Sequence, residues 1–245
     1  MENNTKDRKN QLFSIEGYQI CLICDADEQK PVLGTGFLFL RLDWIVTAKH
    51  VVIEDGLVRT NLYAEFPTNS PNKVRLTVIA IHPESDIALL RIVDIPNPCR
   101  KPLFPGYDDL SVSKGLICCG YTPSNGKTIS ISIAKVYDKL IRERRNAEII
   151  LEFESKGIEG GSSGGPIFGD GGVVLGLLIN VFTTEEQPGK QFARATSIHN
   201  LIEGIEIDFN EKKLQRVEIE NHFDVDDNNG KPIKLGFSKA KKSRK

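Results

Sequence analysis

The chain has 245 residues, 40% hydrophobic and 27% charged, with a formal net charge of -1. That length allows one large or two small domains with a sizeable buried core, and the composition is that of an ordinary globular protein. A near-neutral charge argues against an obligatory nucleic-acid partner. No run approaches the ~18 apolar residues needed to span a bilayer.

Residues 1–11 are polar and charged, with neither an apolar h-region nor a small-residue cleavage site. That reads as no secretory signal and as a cytoplasmic location. Gly17–Cys24 reads as a strand carrying Cys21 and Cys24. Positions three apart on a strand face opposite ways, so this C-x-x-C predicts half-buried or buried thiols, not a metal or redox site. Cys118 and Cys119 alternate in the same way, and with Cys99 the five cysteines form no disulfide framework, which agrees with the cytoplasmic reading.

Further strand signals follow in order. The first set is Gly36–Leu40, Trp44–Ala48, Asn61–Phe66, Lys73–His82 and Ile87–Val93. After a proline-rich connection from Pro96 to Pro105 come Gly115–Tyr121, Lys127–Val136, Ala147–Glu154, Gly165–Phe168, Val173–Val181 and Phe192–Ser197. In Lys127–Val136, alternation places Ile129, Ile131 and Ile133 inward and Thr128, Ser130 and Ser132 outward. Ser197 is placed to cap a short helix from near Ile198, with Leu201, Ile202 and Ile205 on one face. Six strands, a linker and six strands fit a sandwich or a barrel equally well.

The last forty or so residues are polar, but Val217, Ile219, Phe223 and Val225 alternate with polar neighbours. Asn228-Asn229-Gly230 reads as a turn, and Ile233, Leu235 and Phe237 alternate again. The pattern predicts a β-hairpin over 215–237 and a disordered basic end. The acidic stretch Asp224–Gly230 lacks EF-hand spacing, so no metal is expected there. Arg142-Glu143-Arg144-Arg145 reads as a solvated hairpin tip.

Three clusters carry chemistry. Thr47-Ala48-Lys49-His50-Val51-Val52 follows an apolar strand end, and Ser85-Asp86-Ile87-Ala88-Leu89-Leu90 leads into another. Gly161-Ser162-Ser163-Gly164-Gly165-Pro166 puts a serine on a tight glycine turn. A serine nucleophile needs a base, and the base an orienting carboxylate. His50, Asp86 and Ser163 supply the three types. Imidazole ordinarily titrates near neutrality, which suits proton shuttling. His82, His199 and His222 lack the apolar strand-to-turn setting of His50 and read as surface or capping residues.

These motifs, in the order T-A-x-H, D-I-A-L-L and G-x-S-G-G-P, resemble the trypsin-like (chymotrypsin-fold) serine peptidases. Gly34-Thr35-Gly36-Phe37-Leu38-Phe39 is most similar to the compact bacterial HtrA/Deg branch, here without a PDZ-like domain. The similarity runs from about Tyr18 to Ile202. It implies an all-β fold of two six-stranded antiparallel β-barrels, a short carboxy-terminal helix, and the hairpin as an extension. The expected units are 1–11, a barrel over 12–105 with His50 and Asp86, a barrel plus helix over 106–206 with Ser163, and an extension over 207–245.

The resemblance implies a serine endopeptidase acting on peptide or protein substrates through an acyl-enzyme, with no cofactor and no metal. The backbone N–H groups of Gly161 and Ser163 would form the oxyanion site. By position, Gly157 would floor the substrate pocket, Glu159 reach its rim, and Ile179, Asn180 and Val181 line its wall. With no acid at Gly157, this favours a small or medium apolar side chain. Family members activated by cleavage carry an aspartate where Ser162 stands, so that ion pair is absent and the turn needs its own hydrogen bonds, a substrate or a partner. The run Leu177-Leu178-Ile179 offers no hydroxyl to Asp86, which must find other partners. Two alternatives stay open: a latent protease switched on by a protein partner or by self-association through the extension, and a catalytically silent peptide-binding scaffold.

Overall fold

A computed structural model of the chain describes residues 19–26, 32–66, 73–93, 101–113, 115–122, 128–140, 148–153 and 158–202, with short strands at 225–226 and 232–233. The first half forms β1 (Ile20–Asp25), β2 (Val32–Leu38), β3 (Trp44–Thr47), a one-turn helix α1 (Lys49–Val52), a small pair β4 (Ile53–Glu54) and β5 (Leu57–Val58), β6 (Leu62–Glu65), β7 (Lys73–Ile81) and β8 (Ala88–Ile92). The second half forms β9 (Leu116–Thr122), β10 (Thr128–Leu140), β11 (Glu148–Phe153), β12 (Pro166–Phe168), β13 (Val174–Phe182), β14 (Phe192–Ser197) and helix α2 (His199–Ile202).

Two closed barrels result, in the orders β1-β2-β3-β8-β7-β6 and β10-β11-β14-β13-β12-β9. Closure leaves neither barrel with an open sheet edge. The expected all-β fold of two six-stranded antiparallel barrels is therefore observed. In the first barrel Phe37, Phe39, Trp44, Ile45, Leu62 and Phe66 are almost fully buried. Each such side chain contributes on the order of 2 kcal/mol through removal from water.

The second barrel is apolar on two sides. Leu116, Cys118, Ala134, Leu151, Ile167 and Leu178 fill its interior. Ile117, Cys119, Tyr121, Phe168 and Leu177 instead join the core cluster of the first barrel. Parallel bridges Phe39↔Leu103 and Pro105↔Val174 tie the connecting segment to both barrels. The Tyr121 hydroxyl donates to the Ile20 carbonyl at 3.3 Å.

This two-sided burial corrects the reading of β10. Ala134 faces the barrel interior, so Ser132, two residues earlier, shares that face and is 1% exposed. Ile129 and Ile131 pack instead against the core shared with the first barrel. Alternation reports which residues share a face, but with both faces covered it does not report which face is inside.

Cys21, Cys24, Cys118 and Cys119 are buried and in no disulfide. Burial pushes the Cys119 thiol up to about 12 and the Cys118 thiol well above its ordinary value, so these two thiols are chemically quiet. Helix α2 begins where expected, with the Ser197 hydroxyl accepting from the His199 N–H at 3.2 Å. Val225–Asp226 pairs antiparallel with Pro232–Ile233, a short piece of the expected hairpin around Asn228-Asn229-Gly230. The rest of that extension, Arg142–Arg145, Cys99 and His222 lie outside the described residues.

Candidate active site

His50 sits on α1, directly after β3. Val51 and Val52 are buried, which turns His50 toward the opposite, solvent-facing side. Its Nδ1 lies 2.7 Å from Asp86 Oδ2, and its own backbone N–H donates to Asp86 Oδ1 at 2.9 Å. Both carboxylate oxygens therefore hold one residue. The one-turn helix supplies the partner that no hydroxyl on β13 provides. Burial is the largest influence on Asp86 and raises its pKa. The hydrogen bonds and charge of His50, with the Lys49 charge, outweigh it and hold the carboxyl below its ordinary range.

The turn ahead of Asp86 is pinned from three directions. His82 Nδ1 accepts the N–H groups of Glu84 at 3.1 Å and Ser85 at 2.7 Å, so its proton sits on Nε2. Lys49 Nζ donates to the carbonyls of His82 at 3.1 Å and Pro83 at 3.4 Å. Asn200, on α2, donates to the hydroxyls of Ser85 at 3.0 Å and Thr196 at 3.1 Å. Of the two roles expected of it, surface or capping, His82 thus takes the capping one.

Burial first, then the Lys49 charge, lowers the His82 pKa against an opposing pull from Glu84. A lowered folded value means that His82 stabilises the fold fully above its unfolded value, about 6.5. The contribution is lost as pH falls through the folded value. His82→Asn keeps an acceptor but does not titrate. The urea midpoint of the wild type should fall more between pH 7.5 and pH 5 than that of this variant; equal losses would contradict the assignment.

Two consecutive turns share Ser162, and Ser163 lies on the second. In the first, the Ser162 N–H donates to the Glu159 carbonyl at 3.3 Å, with Gly161 at φ +96. In the second, the Gly165 N–H donates to the Ser162 carbonyl at 2.8 Å, with Gly164 at φ +85. A positive φ at the third position is the signature of a type II turn, which explains glycine at 161 and 164. Gly164 has a second reason: a Cβ there would strike the Thr35 carbonyl and the Thr47 hydroxyl. The Ser163 turn is thereby pressed onto the end of β3, within a few residues of His50.

The turn is held by its own bonds. Ser162 is fully buried, and its hydroxyl donates to the Glu159 carbonyl at 2.8 Å. The Gly164 N–H donates to Leu178 at 2.7 Å, and the Leu178 N–H to Gly165 at 2.9 Å. The Thr35 N–H donates to the Ser163 carbonyl at 2.8 Å, and the Thr35 hydroxyl to the Gly161 carbonyl at 2.8 Å. Among the described residues, no carbonyl takes the N–H of Gly161 or of Ser163.

Of the expected pocket residues, Gly157 lies outside the described ones. The Glu159 side chain is exposed, and its carbonyl anchors Ser162. Asn180 is exposed, Val181 half-buried, and Ile179 buried. The β13–β14 register shifts between Leu178 and Asn180, so Ile179 sits at a bulge directly after the residue that pins the serine turn. Bulges re-aim side chains beside sites in this way. Among the described residues, no three His, Cys, Asp or Glu side chains gather in a metal-holding arrangement. Thr35, Lys49, His82 and Asn200 were not read as site residues from the sequence. Thr35 was marked only by its place between two glycines; the strand read from Gly36 begins earlier, at Val32, and takes it in.

Residues 34–177 match the model of the trypsin-like peptidase domain. The chain belongs to the trypsin-like peptidase family. A "probable periplasmic serine endoprotease DegP-like" of Chlamydia pneumoniae is 29% identical over 154 residues, covering 61% of this chain and 29% of that protein. A protein of the same description from Chlamydia trachomatis is 25% identical, covering 62% and 30%. This trypsin-like chain therefore spans about three tenths of the length of the curated relatives it matches. Among solved structures, the active form of the Rv3671c protease from M. tuberculosis aligns with a TM-score of 0.59 at 19% identity, covering 79% and 82% of the two chains. The HtrA-type protease AlgW with a decapeptide aligns at 0.56 and 14%, covering 79% and 65%. Both are likenesses of fold.

These relatives overturn one expectation. They are named periplasmic, against the cytoplasmic location read from residues 1–11 and the cysteines. Neither feature reports a compartment in this trypsin-like peptidase: the described thiols are buried, whatever the redox poise outside.

Proposed function

We propose that the chain is a serine endopeptidase with Ser163 as nucleophile, His50 as general base and acid, and Asp86 as the orienting carboxylate. The observation that carries this reading is the pairing of His50 Nδ1 with Asp86 Oδ2 at 2.7 Å. Such a contact fixes the proton on Nδ1 and leaves Nε2 as the acceptor.

In the proposed reaction, Ser163 Oγ bonds to the scissile carbonyl carbon as His50 Nε2 takes its proton. The N–H groups of Gly161 and Ser163 stabilise the oxyanion, each worth on the order of 3 kcal/mol. Collapse breaks the C–N bond, and His50 returns the proton to the leaving amine. A water, deprotonated by His50, then attacks the acyl-enzyme and frees Ser163. Asp86 stays ionised throughout, in keeping with its lowered pKa.

The proposed units are a barrel over 12–105, a barrel with its helix over 106–206, and an extension from 207 proposed to meet a protein partner or a second copy. Ile179, Asn180 and Val181 are proposed as the pocket wall, with Gly157 at its floor and Glu159 at its rim, receiving a small or medium apolar side chain. The purified chain should release fluorescence from fluorescein-labelled casein, and pretreatment with a fluorophosphonate should stop it. Release that persists after such treatment sinks the proposal.

A further inference from the structure

We propose that Thr35 is a positioning residue through which the first barrel holds the oxyanion turn of the second in its reactive form. The inference rests on the reading of Ser163 as nucleophile and names what sets that serine's reactivity.

Thr35 lies on β2 and is fully buried. It carries three polar groups, and all are engaged across elements that the sequence keeps far apart. Its hydroxyl donates to the Gly161 carbonyl at 2.8 Å and accepts the Tyr121 N–H, on β9, at 3.0 Å. Its N–H donates to the Ser163 carbonyl at 2.8 Å. Its carbonyl accepts the Thr47 hydroxyl at 2.7 Å, at the strand end that leads to His50. One residue therefore touches the carbonyls on either side of Ser162, the strand behind the turn and the strand before the histidine.

The hydroxyl bond is the informative one. Gly160-Gly161 is the most freely rotating pair in the turn, because neither glycine has a Cβ to restrict it. A type II turn differs from a type I turn by rotation of its central peptide, here the peptide that carries the Gly161 N–H. The two bonds from Ser162 to the Glu159 carbonyl close the turn but leave that peptide free to rotate. Holding the Gly161 carbonyl fixes the far side of the glycine, and with it the direction of the N–H. Without the hydroxyl, the half-buried Gly161 carbonyl and the buried Tyr121 N–H lose a partner, which favours a rearranged turn. Ser162 fixes where the turn closes, and Thr35 fixes which way its donors point.

The test compares wild type, Thr35→Val and Thr35→Ser in the full chain. Val matches threonine in shape and keeps both backbone bonds, while Ser keeps the hydroxyl. Two readouts are taken: the rate of Ser163 modification by a fluorophosphonate, and kcat and KM for p-nitrophenyl acetate. Thr35→Val should lower the modification rate and kcat by roughly 10- to 100-fold, the loss expected for misaimed rather than deleted donors. KM should stay within about two-fold, and Thr35→Ser should stay within about three-fold of wild type. Should the Val form not fold, Thr35→Cys supplies a weak donor of similar size and should fall between the two. A folded Val or Cys form that reacts at the wild-type rate, a Ser form that falls with Val, or a change in KM alone overturns the inference while leaving Ser163 as nucleophile. A wild-type chain that neither reacts with the probe nor hydrolyses the ester overturns that reading, and the inference with it.

Discussion

Ser163→Ala should lower kcat on fluorescein-labelled casein by about a million-fold, the scale on which a triad nucleophile acts. KM should change little, because the lost atom forms a bond only in the transition state. The fold should survive. The backbone contacts of the turn run from the Ser163 carbonyl to Thr35 and through Gly164 and Gly165 to Leu178, and the substitution touches none of them. Thermal midpoints within a few degrees of wild type are therefore expected beside the lost turnover. A loss below about 100-fold in a folded variant would remove Ser163 from the chemistry.

Asp86→Asn should cost about 10⁴-fold in kcat with the structure intact. Asparagine has the shape to keep an acceptor on the His50 backbone N–H, now made to Asp86 Oδ1 at 2.9 Å. Its amide NH₂ then faces Nδ1, where the carboxylate now sits at 2.7 Å. Two donors cannot face each other, so the imidazole proton moves to Nε2, the atom that must accept from Ser163. The fault is one of tautomer, so raising the pH does not repair it as it would a merely protonated base. The carboxylate also stabilises the fold. Its lowered pKa means that this contribution is present above the unfolded value, about 3.9, and is lost as pH falls through the folded value. Stability at pH 7 and at pH 3 should thus differ less in Asp86→Asn than in wild type. A kcat within ten-fold of wild type would show that Asp86 does not set the tautomer.

Most of the barrel was legible because strands of a closed sheet leave period-two and apolar runs between turn residues. Every barrel strand overlaps one of those runs, but β2 begins at Val32, four residues before the run read from Gly36, and β10 continues past Val136 to Leu140. The faces of β10 were not legible, since Ser132 is read as outward only if one side of the strand meets water. The motif around Ser163 revealed a glycine turn but not its form. Two type II turns sharing Ser162 emerge only when Gly161 and Gly164 are seen at positive φ. The partner of Asp86 was hidden for a different reason. It is the backbone N–H of His50, presented by a one-turn helix, and backbone donors leave no trace in residue type. Thr35 and Asn200 were hidden because their work is long-range: Thr35 reaches a carbonyl 126 residues away, and Asn200 a hydroxyl 115 residues away. His82 works locally, on the N–H groups two and three residues on, and those backbone donors likewise leave no trace in residue type.

Site-mapped covalent labelling tests the central claim most directly. The full chain is treated with a fluorophosphonate, its intact mass is measured, and the modified peptide is sequenced. The expected result is one adduct per chain, carried on Ser163 within Gly161–Pro166, formed more slowly in Asp86→Asn and absent from Ser163→Ala. An unmodified wild-type chain, an adduct on another residue, or labelling that persists in Ser163→Ala would contradict the account.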